Sequence, residues 1–269
     1  MNLTNEKFNL NQISNFNNYQ TPEIKIPYLN RIFPGMVFYS KLFSIVLRAS
    51  KLAKQNKYLD DEWVKSSLEV LTALESVGIK ISVENIDAIK NIDKPCVFIG
   101  NHMSTLETFV LPCLIKPLCD MTFIVKKELI EYPIFGHVMR SRNPIIVGRK
   151  DPRQDFKTVL EEGKKRLDKG TSIVVFPQTT RTTKFDPNQF NTIGIKLAKF
   201  AKAPIIPIAL KTDAWGNGKK FKDLGKINPS KKVYFRFGNP IYIEGNGKKE
   251  HEEITKFITE FLASHNPIG

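Results

Sequence analysis

The chain has 269 residues, with 41 Lys and Arg against 27 Asp and Glu, a net charge of +14, and 3 Cys. That length can bury a substantial core, and the charge favours an anionic partner: nucleic acid, an acidic membrane surface or a phosphate-bearing substrate. Cys96, Cys113 and Cys119 form no C-x-x-C pair, and His137, His251 and His265 lie far from any ligand cluster, which argues against a disulfide framework or a zinc site and for reduced thiols.

Residues 1–27 are polar, Asn-rich at the start and marked by Pro22 and Pro27, and are expected as a flexible or loosely docked leader without the apolar core of a secretory signal. No run of 18 apolar residues occurs, so no conventional membrane span is expected and the protein is placed on the cytoplasmic side. Over 28–58, Ile32, Phe33, Met36, Phe38, Leu42, Phe43 and Leu47 interleave with Arg31, Lys41, Arg48, Lys51 and Lys54 as an apolar, basic helical segment. It is read either as a core helix with a solvated basic face or as an interfacial helix, where each basic residue near an anionic leaflet adds about 1 kcal/mol. The scarcity of acidic residues before Asp60 favours the second reading. A further helix over 62–76 closes at Gly78, so 28–78 is expected as an N-terminal helical, membrane-docking segment.

From 79 to 269 short β-branched runs alternate with helical stretches. Strands are expected at 79–83, 96–99, 121–125, 145–147, 171–176, 205–210 and 233–237, and helices near 106–113, 153–169, 193–201 and 250–264. The alternation predicts an α/β fold with a mostly parallel sheet flanked by helices.

His102 follows the strand at 96–99 directly, in the stretch GNHMSTLETF, and Glu107 comes five residues later. On an ideal helix five residues turn about 500°, leaving the two side chains roughly 140° apart. They meet only if His102 lies in the turn before the helix, and the strand-to-helix transition supplies that turn. A His–carboxylate dyad is then available, the carboxylate fixing the tautomer and supporting the imidazolium as a proton arrives, with a structural polar pair as the alternative. Ser104 or Thr105 is placed to cap the following helix, and with no G-x-S-x-G elbow Ser104 is read as a cap and not a nucleophile.

Lys126, Lys127 and Arg149 stand at strand ends in VKKELIEYPIFGHVMRSRNPIIVGR, and Arg181 follows another buried strand in VVFPQTTRTTKF. Several strand ends thus present cations on the same side as a histidine, the layout for an anionic substrate beside a base.

The four stretches NHMSTLE, KKELIEYPIFG through Arg149, FPQTTRT and IIPIAL, in that order, resemble the motifs of the glycerolipid acyltransferases typified by bacterial 1-acylglycerol-3-phosphate acyltransferase. The resemblance spans about 95–210 and makes 79–269 an α/β acyltransferase domain. It implies that His102 is the general base for an acceptor hydroxyl, that Glu107 orients it, and that Lys126, Lys127, Arg149 and Arg181 receive an acceptor phosphate. Gln178, Thr179 and Thr180 stand in the same substrate-binding loop, Pro177 shapes that loop, and Pro133, Phe135 and Gly136 shape the one beneath the site. The implied reaction is transfer of a fatty acyl group from acyl-CoA or acyl carrier protein, a co-substrate and not a bound cofactor, to a lyso-glycerolipid, with no metal, in phospholipid biosynthesis or remodelling. The implied setting is peripheral or monotopic on the cytoplasmic face of an anionic membrane.

Three positions depart from the pattern. Glu107 replaces Asp and is one methylene longer, so the backbone must shift or the dyad loosen; Gln178 and Thr179 replace Glu-Gly, and Thr takes up positive φ less readily than Gly. These departures leave other acceptors open, such as glycerol 3-phosphate or an aminoacyl lyso-lipid, and also a decayed, membrane-bound interaction protein. A nucleic-acid-binding module lacks support, because no exposed aromatic-basic motif is found.

Overall fold

The computed structural model describes residues 17–219 and 221–265. In chain order the strands are β1 (Tyr19–Gln20), β2 (Ile81–Glu84), β3 (Val97–Gly100), β4 (Met121–Lys126), β5 (Ile145–Val147), β6 (Ser172–Val175), β7 (Ile205–Lys211) and β8 (Val233–Phe237). They form one sheet in the order β1-β2-β8-β7-β3-β6-β4-β5. The helices are α1 (Tyr28–Ile32), α2 (Pro34–Lys54), α3 (Asp60–Glu75), α4 (Asp87–Lys90), α5 (Leu106–Ile115), α6 (Lys127–Glu131), α7 (Phe135–Ser141), α8 (Pro152–Leu167), α9 (Ile193–Ala201) and α10 (Lys248–His265).

Strand side chains alternate between faces, and both faces here are apolar, so both must be covered. Phe98, Val174 and Ile206 face one way and pack with Leu42 of α2, Leu71 of α3 and Leu111 of α5. Val97, Ile99, Ile173 and Val175 face the other way and pack with Val159 of α8, Leu197 of α9 and Ile258 of α10. The strands β7, β3, β6, β4 and β5 are mutually parallel, so their carboxyl ends share one edge of the sheet. β8 runs antiparallel to β7, and β2 runs parallel to β8, which sends those two toward the opposite edge. The mostly parallel α/β sheet expected from the alternation is present, with antiparallel pairs at β1–β2 and β8–β7.

The expected loosely docked leader is corrected at residues 17–21, while residues 1–16 lie outside the described residues. Tyr19 and Gln20 add an edge strand to β2, and Tyr19 is buried. Its hydroxyl donates to Glu75 at 2.7 Å, and the Thr21 hydroxyl donates to the same oxygen at 2.6 Å. Burial pushes the Glu75 carboxyl up, and these two hydrogen bonds only partly oppose it. The sequence offered no periodicity here because a two-residue strand has none.

The helical run expected over 28–58 is two helices, because Phe33 precedes Pro34 and is held at φ −120, ψ 55, outside the helical region. α2 buries Phe38, Leu42, Ile45, Ala49 and Ala53 in the main core. Its outer side leaves Met36, Phe43 and Leu47 exposed. Among the described residues no helix is long and apolar enough to cross a membrane.

Candidate active site

His102 lies two residues beyond β3 and four before α5, in the non-helical turn its pairing required. Its Nδ1 is 2.8 Å from Oε1 of Glu107. That oxygen also accepts from the backbone N–H of Met103 at 2.7 Å and of Ser104 at 2.9 Å, so the carboxylate closes the turn over itself. The other oxygen accepts from the Thr212 hydroxyl at 2.5 Å, with Ser104 Oγ 3.0 Å away. Of the two outcomes expected of the extra methylene, a shifted backbone or a loosened pair, the pair is not loosened: the longer arm reaches back to the turn that carries the histidine.

Glu107 is fully buried. Burial would push its carboxyl up, but the hydrogen bond and charge of His102, then the bonds from Thr212 and Ser104, outweigh burial and hold it below the usual carboxylate range. Its position in the first turn of α5 adds the favourable end of the helix dipole. Ser104 is fully buried, accepts from the Leu106 N–H at 3.1 Å and lies 3.0 Å from the Thr212 carbonyl, so it is a structural hydroxyl.

The imidazole is fixed from a second side. Its ring stacks on Phe176, with centroids 4.4 Å apart and planes 7° apart. The His102 N–H donates to Oε1 of Gln178 at 2.6 Å, and the Thr182 N–H donates to the His102 carbonyl at 3.0 Å. With Nδ1 directed at Glu107, Nε2 is the ring nitrogen left for a reacting group on a side chain that is 20% exposed.

The cations gather around this turn with one exception. Arg181 donates through Nη1 to Oδ1 of Asp223 at 2.7 Å and to the Thr105 hydroxyl. Arg149, at φ 59, donates to the Thr179 carbonyl at 2.5 Å. The Asp155 carboxylate holds that left-handed turn by accepting from Gly148 N–H at 2.8 Å and Arg149 N–H at 2.6 Å. Burial, then the charge of Arg149, then those of Lys222 and Arg181, pull the Lys126 ammonium below its ordinary value against the opposing charge of Glu128. Lys127 is the exception: it opens α6, is exposed and lies 3.9 Å from Glu131. β4 ends at Lys126 and α6 begins at Lys127, so the backbone changes course between the two lysines and only the first belongs to the sheet edge.

Gln178 is 6% exposed and serves the backbone of His102, so it is a support for the turn, whereas Thr179 and Thr180 are exposed. Thr179 is not among the residues with positive φ, so the loss of Gly there carries no left-handed strain. Beneath the site Phe135 meets Phe109 with centroids 5.5 Å apart. Gly136 passes so close to Ile130 that an added Cβ would lie 2.4 Å from its carbonyl oxygen. The Pro177 carbonyl accepts from the Asn191 side chain.

Four contributors escaped the sequence reading: Phe176, Thr212, Lys222 and Asp223. Thr212 had a signal, since it immediately follows the strand IIPIALK, which ends at the same edge as His102. Lys222, whose Nζ donates to Thr180 Oγ1 at 3.0 Å, and Asp223 lie in the long connection from β7 to β8 and had none. Thr212→Val keeps the shape of the side chain and deletes its bond to Glu107. It is expected to cost about 1–2 kcal/mol, a fall of a few degrees in Tm by thermal denaturation. An unchanged Tm would show that bond to be dispensable.

Residues 80–211, which include every motif above, match the family model described as Acyltransferase. The chain is 29% identical over 195 residues to a 1-acyl-sn-glycerol-3-phosphate acyltransferase of Pseudomonas aeruginosa, covering 71% of this chain and 72% of that one. It is also 29% identical over 202 residues to a probable 1-acyl-sn-glycerol-3-phosphate acyltransferase of Mycoplasma genitalium, covering 71% and 73%. The crystal structure of the 1-acyl-sn-glycerophosphate acyltransferase of Thermotoga maritima shares the fold, with a TM-score of 0.67 over 87% of this chain and 97% of that one, at 18% identity. These matches identify residues 80–211 as an acyltransferase domain and make the protein an O-acyltransferase.

Proposed function

We propose that the protein transfers a fatty acyl group from an acyl thioester, acyl-CoA or acyl carrier protein, to the free hydroxyl of a lyso-glycerolipid such as 1-acylglycerol 3-phosphate. The observation that carries this reading is the His102–Glu107 pair, closed at 2.8 Å in the turn after β3 with Nε2 left for substrate. Nδ1–H donates to Glu107, so Nε2 accepts the proton of the acceptor hydroxyl. The oxygen attacks the thioester carbonyl carbon, the tetrahedral adduct collapses with cleavage of the C–S bond, and the imidazolium returns its proton to the leaving thiolate. Glu107, kept anionic by its five-sided hydrogen bonding, balances the positive ring while it exists.

Arg181, Arg149 and Lys126 are the groups that receive the acceptor's phosphate, Lys222 joins them, and Lys127 has no part. Guanidinium–phosphate bonds are charge-assisted and directional, which holds the hydroxyl near Nε2. The relatives named for 1-acylglycerol 3-phosphate support this acceptor. The test is transfer of a radiolabelled acyl chain from acyl-CoA and from acyl carrier protein to a panel of lyso-lipids in vesicles. Failure with every acceptor and both donors would sink the proposal.

The exposed side of α1 and α2 is the proposed membrane contact. Leu29, Phe33, Met36, Phe43 and Leu47 are exposed there, with Arg31 and Lys51 beside them. An apolar strip flanked by cations suits the headgroup layer of an anionic leaflet. Phe43→Glu combined with Leu47→Glu is expected to weaken partitioning into anionic vesicles by roughly tenfold or more, read by vesicle co-sedimentation. Equal co-sedimentation of this variant and the unaltered protein would move the contact to another face.

A further inference from the structure

The guanidinium assigned above to an acceptor phosphate is already met by a carboxylate of the chain itself. Oδ1 of Asp223 accepts from Arg181 Nη1 at 2.7 Å and from the Thr105 hydroxyl at 3.0 Å. Those three residues come from the connections that follow β7, β6 and β3, and the contact brings them together in the connection that carries His102. The Arg181 side chain is 15% exposed and that of Asp223 is 40% exposed, so the carboxylate is the more accessible partner of the pair.

Asp223 is held there by its neighbours. Its carbonyl accepts from Trp215 Nε1 at 3.1 Å, and Trp215 is buried against Phe38, with centroids 4.8 Å apart. The Asn217 side chain donates to the Met103 carbonyl at 2.9 Å, and the Tyr39 hydroxyl donates to the Gly225 carbonyl at 2.5 Å. Gly225 runs so close to Gly216 that an added Cβ would lie 1.7 Å from its oxygen, an approach open to glycine alone. The backbone on both sides of Asp223 is thus anchored, and the carboxylate meets Arg181 as part of the fold.

A phosphate and Asp223 call on the same donors. One N–H of a guanidinium cannot serve two anions at full strength, and two anions beside one cation repel each other. We propose that Asp223 is a specificity-determining residue that competes with the acceptor's anionic headgroup for Arg181 and Thr105. A phosphomonoester carrying close to two charges binds only by displacing this carboxylate, whereas an uncharged headgroup leaves it in place. The enzyme therefore discriminates less strongly in favour of lysophosphatidic acid than its cations alone would dictate. This inference rests on the reading of Arg181 as a headgroup receptor.

The test compares the full-length protein with Asp223→Asn, Asp223→Glu, Arg181→Ala and the Asp223→Asn/Arg181→Ala double variant in mixed micelles, after thermal melts have shown each to be folded. The readouts are KM and kcat for lysophosphatidic acid and for the matching monoacylglycerol, and inhibition by inorganic phosphate. Asp223→Asn is expected to lower KM for lysophosphatidic acid and the phosphate inhibition constant by about three- to tenfold, with kcat and the monoacylglycerol KM little changed. Asp223→Glu, which keeps the carboxylate, should behave as the unaltered protein, and the Asp223→Asn gain should vanish when Arg181 is Ala. A raised KM or a fall in kcat for both acceptors in Asp223→Asn would overturn competition and leave Asp223 a support for the arginine. If Arg181→Ala leaves the lysophosphatidic acid KM unchanged, the headgroup assignment itself fails, and competition for Arg181 fails with it.

Discussion

Replacing His102 with Ala is expected to lower turnover by on the order of 10²–10⁴-fold, the usual contribution of a positioned general base. The fold should survive. Glu107 retains the Met103 and Ser104 N–H groups and the Thr212 hydroxyl as donors, so its buried charge is not stranded. The stacking of His102 on Phe176 is lost, but the side chain is partly exposed and leaves space that water can reach. Single-turnover acyl transfer together with thermal denaturation checks this: transfer should collapse while Tm holds. A variant with full activity would remove His102 from the chemistry altogether, and one that fails to fold would make the pair a structural knot.

The second large effect is expected from Glu107→Gln. The amide oxygen must take the position of Oε1, because that oxygen faces three donors, His102 Nδ1 and the N–H groups of Met103 and Ser104. The amide nitrogen then faces the hydroxyls of Thr212 and Ser104, which can rotate to accept. The tautomer of His102 is kept, and what disappears is the negative charge that balances the imidazolium. A loss on the order of a hundredfold in kcat follows, with KM for the acceptor little altered. The same substitution carries a signature in stability. The carboxyl is held below its usual range in the folded protein, so at acid pH the unfolded chain binds more protons. The stabilisation is complete above the ordinary carboxylate range and is lost as pH falls through the depressed value. Melts of the unaltered protein should therefore lose Tm below about pH 5 more steeply than those of Glu107→Gln. Parallel profiles would mean that Glu107 has no such linkage.

How much of this was legible beforehand differs from residue to residue. Strand alternation and β-branched runs gave the sheet, since a buried parallel strand has to be continuously apolar to face helices on both sides. The motifs NHMSTLE and FPQTTRT placed His102 and Arg181 each just beyond the end of a buried strand. The helical angle between positions 102 and 107 even required the turn that the structure contains. Lys126 and Lys127 were indistinguishable as letters; the end of β4 turns one toward Arg149 and leaves the other in solvent. The same limit explains the edge strand at Tyr19, whose partner lies more than sixty residues away on β2.

The sequence by itself determined the α/β architecture, the acyltransferase motifs and the histidine that carries the proposed chemistry. These follow from local periodicity and from residues close together along the chain. Only the tertiary structure decided what surrounds that histidine: Thr212 on Glu107, Phe176 against the ring, Gln178 under the backbone and Asp223 on Arg181. Each of those contacts joins segments from different strands, and their meeting depends on the order in which the strands pair, β7 beside β3 and β3 beside β6. Sequence spacing carries no trace of that order, because hydrogen bonding between strands is indifferent to the length of chain that connects them.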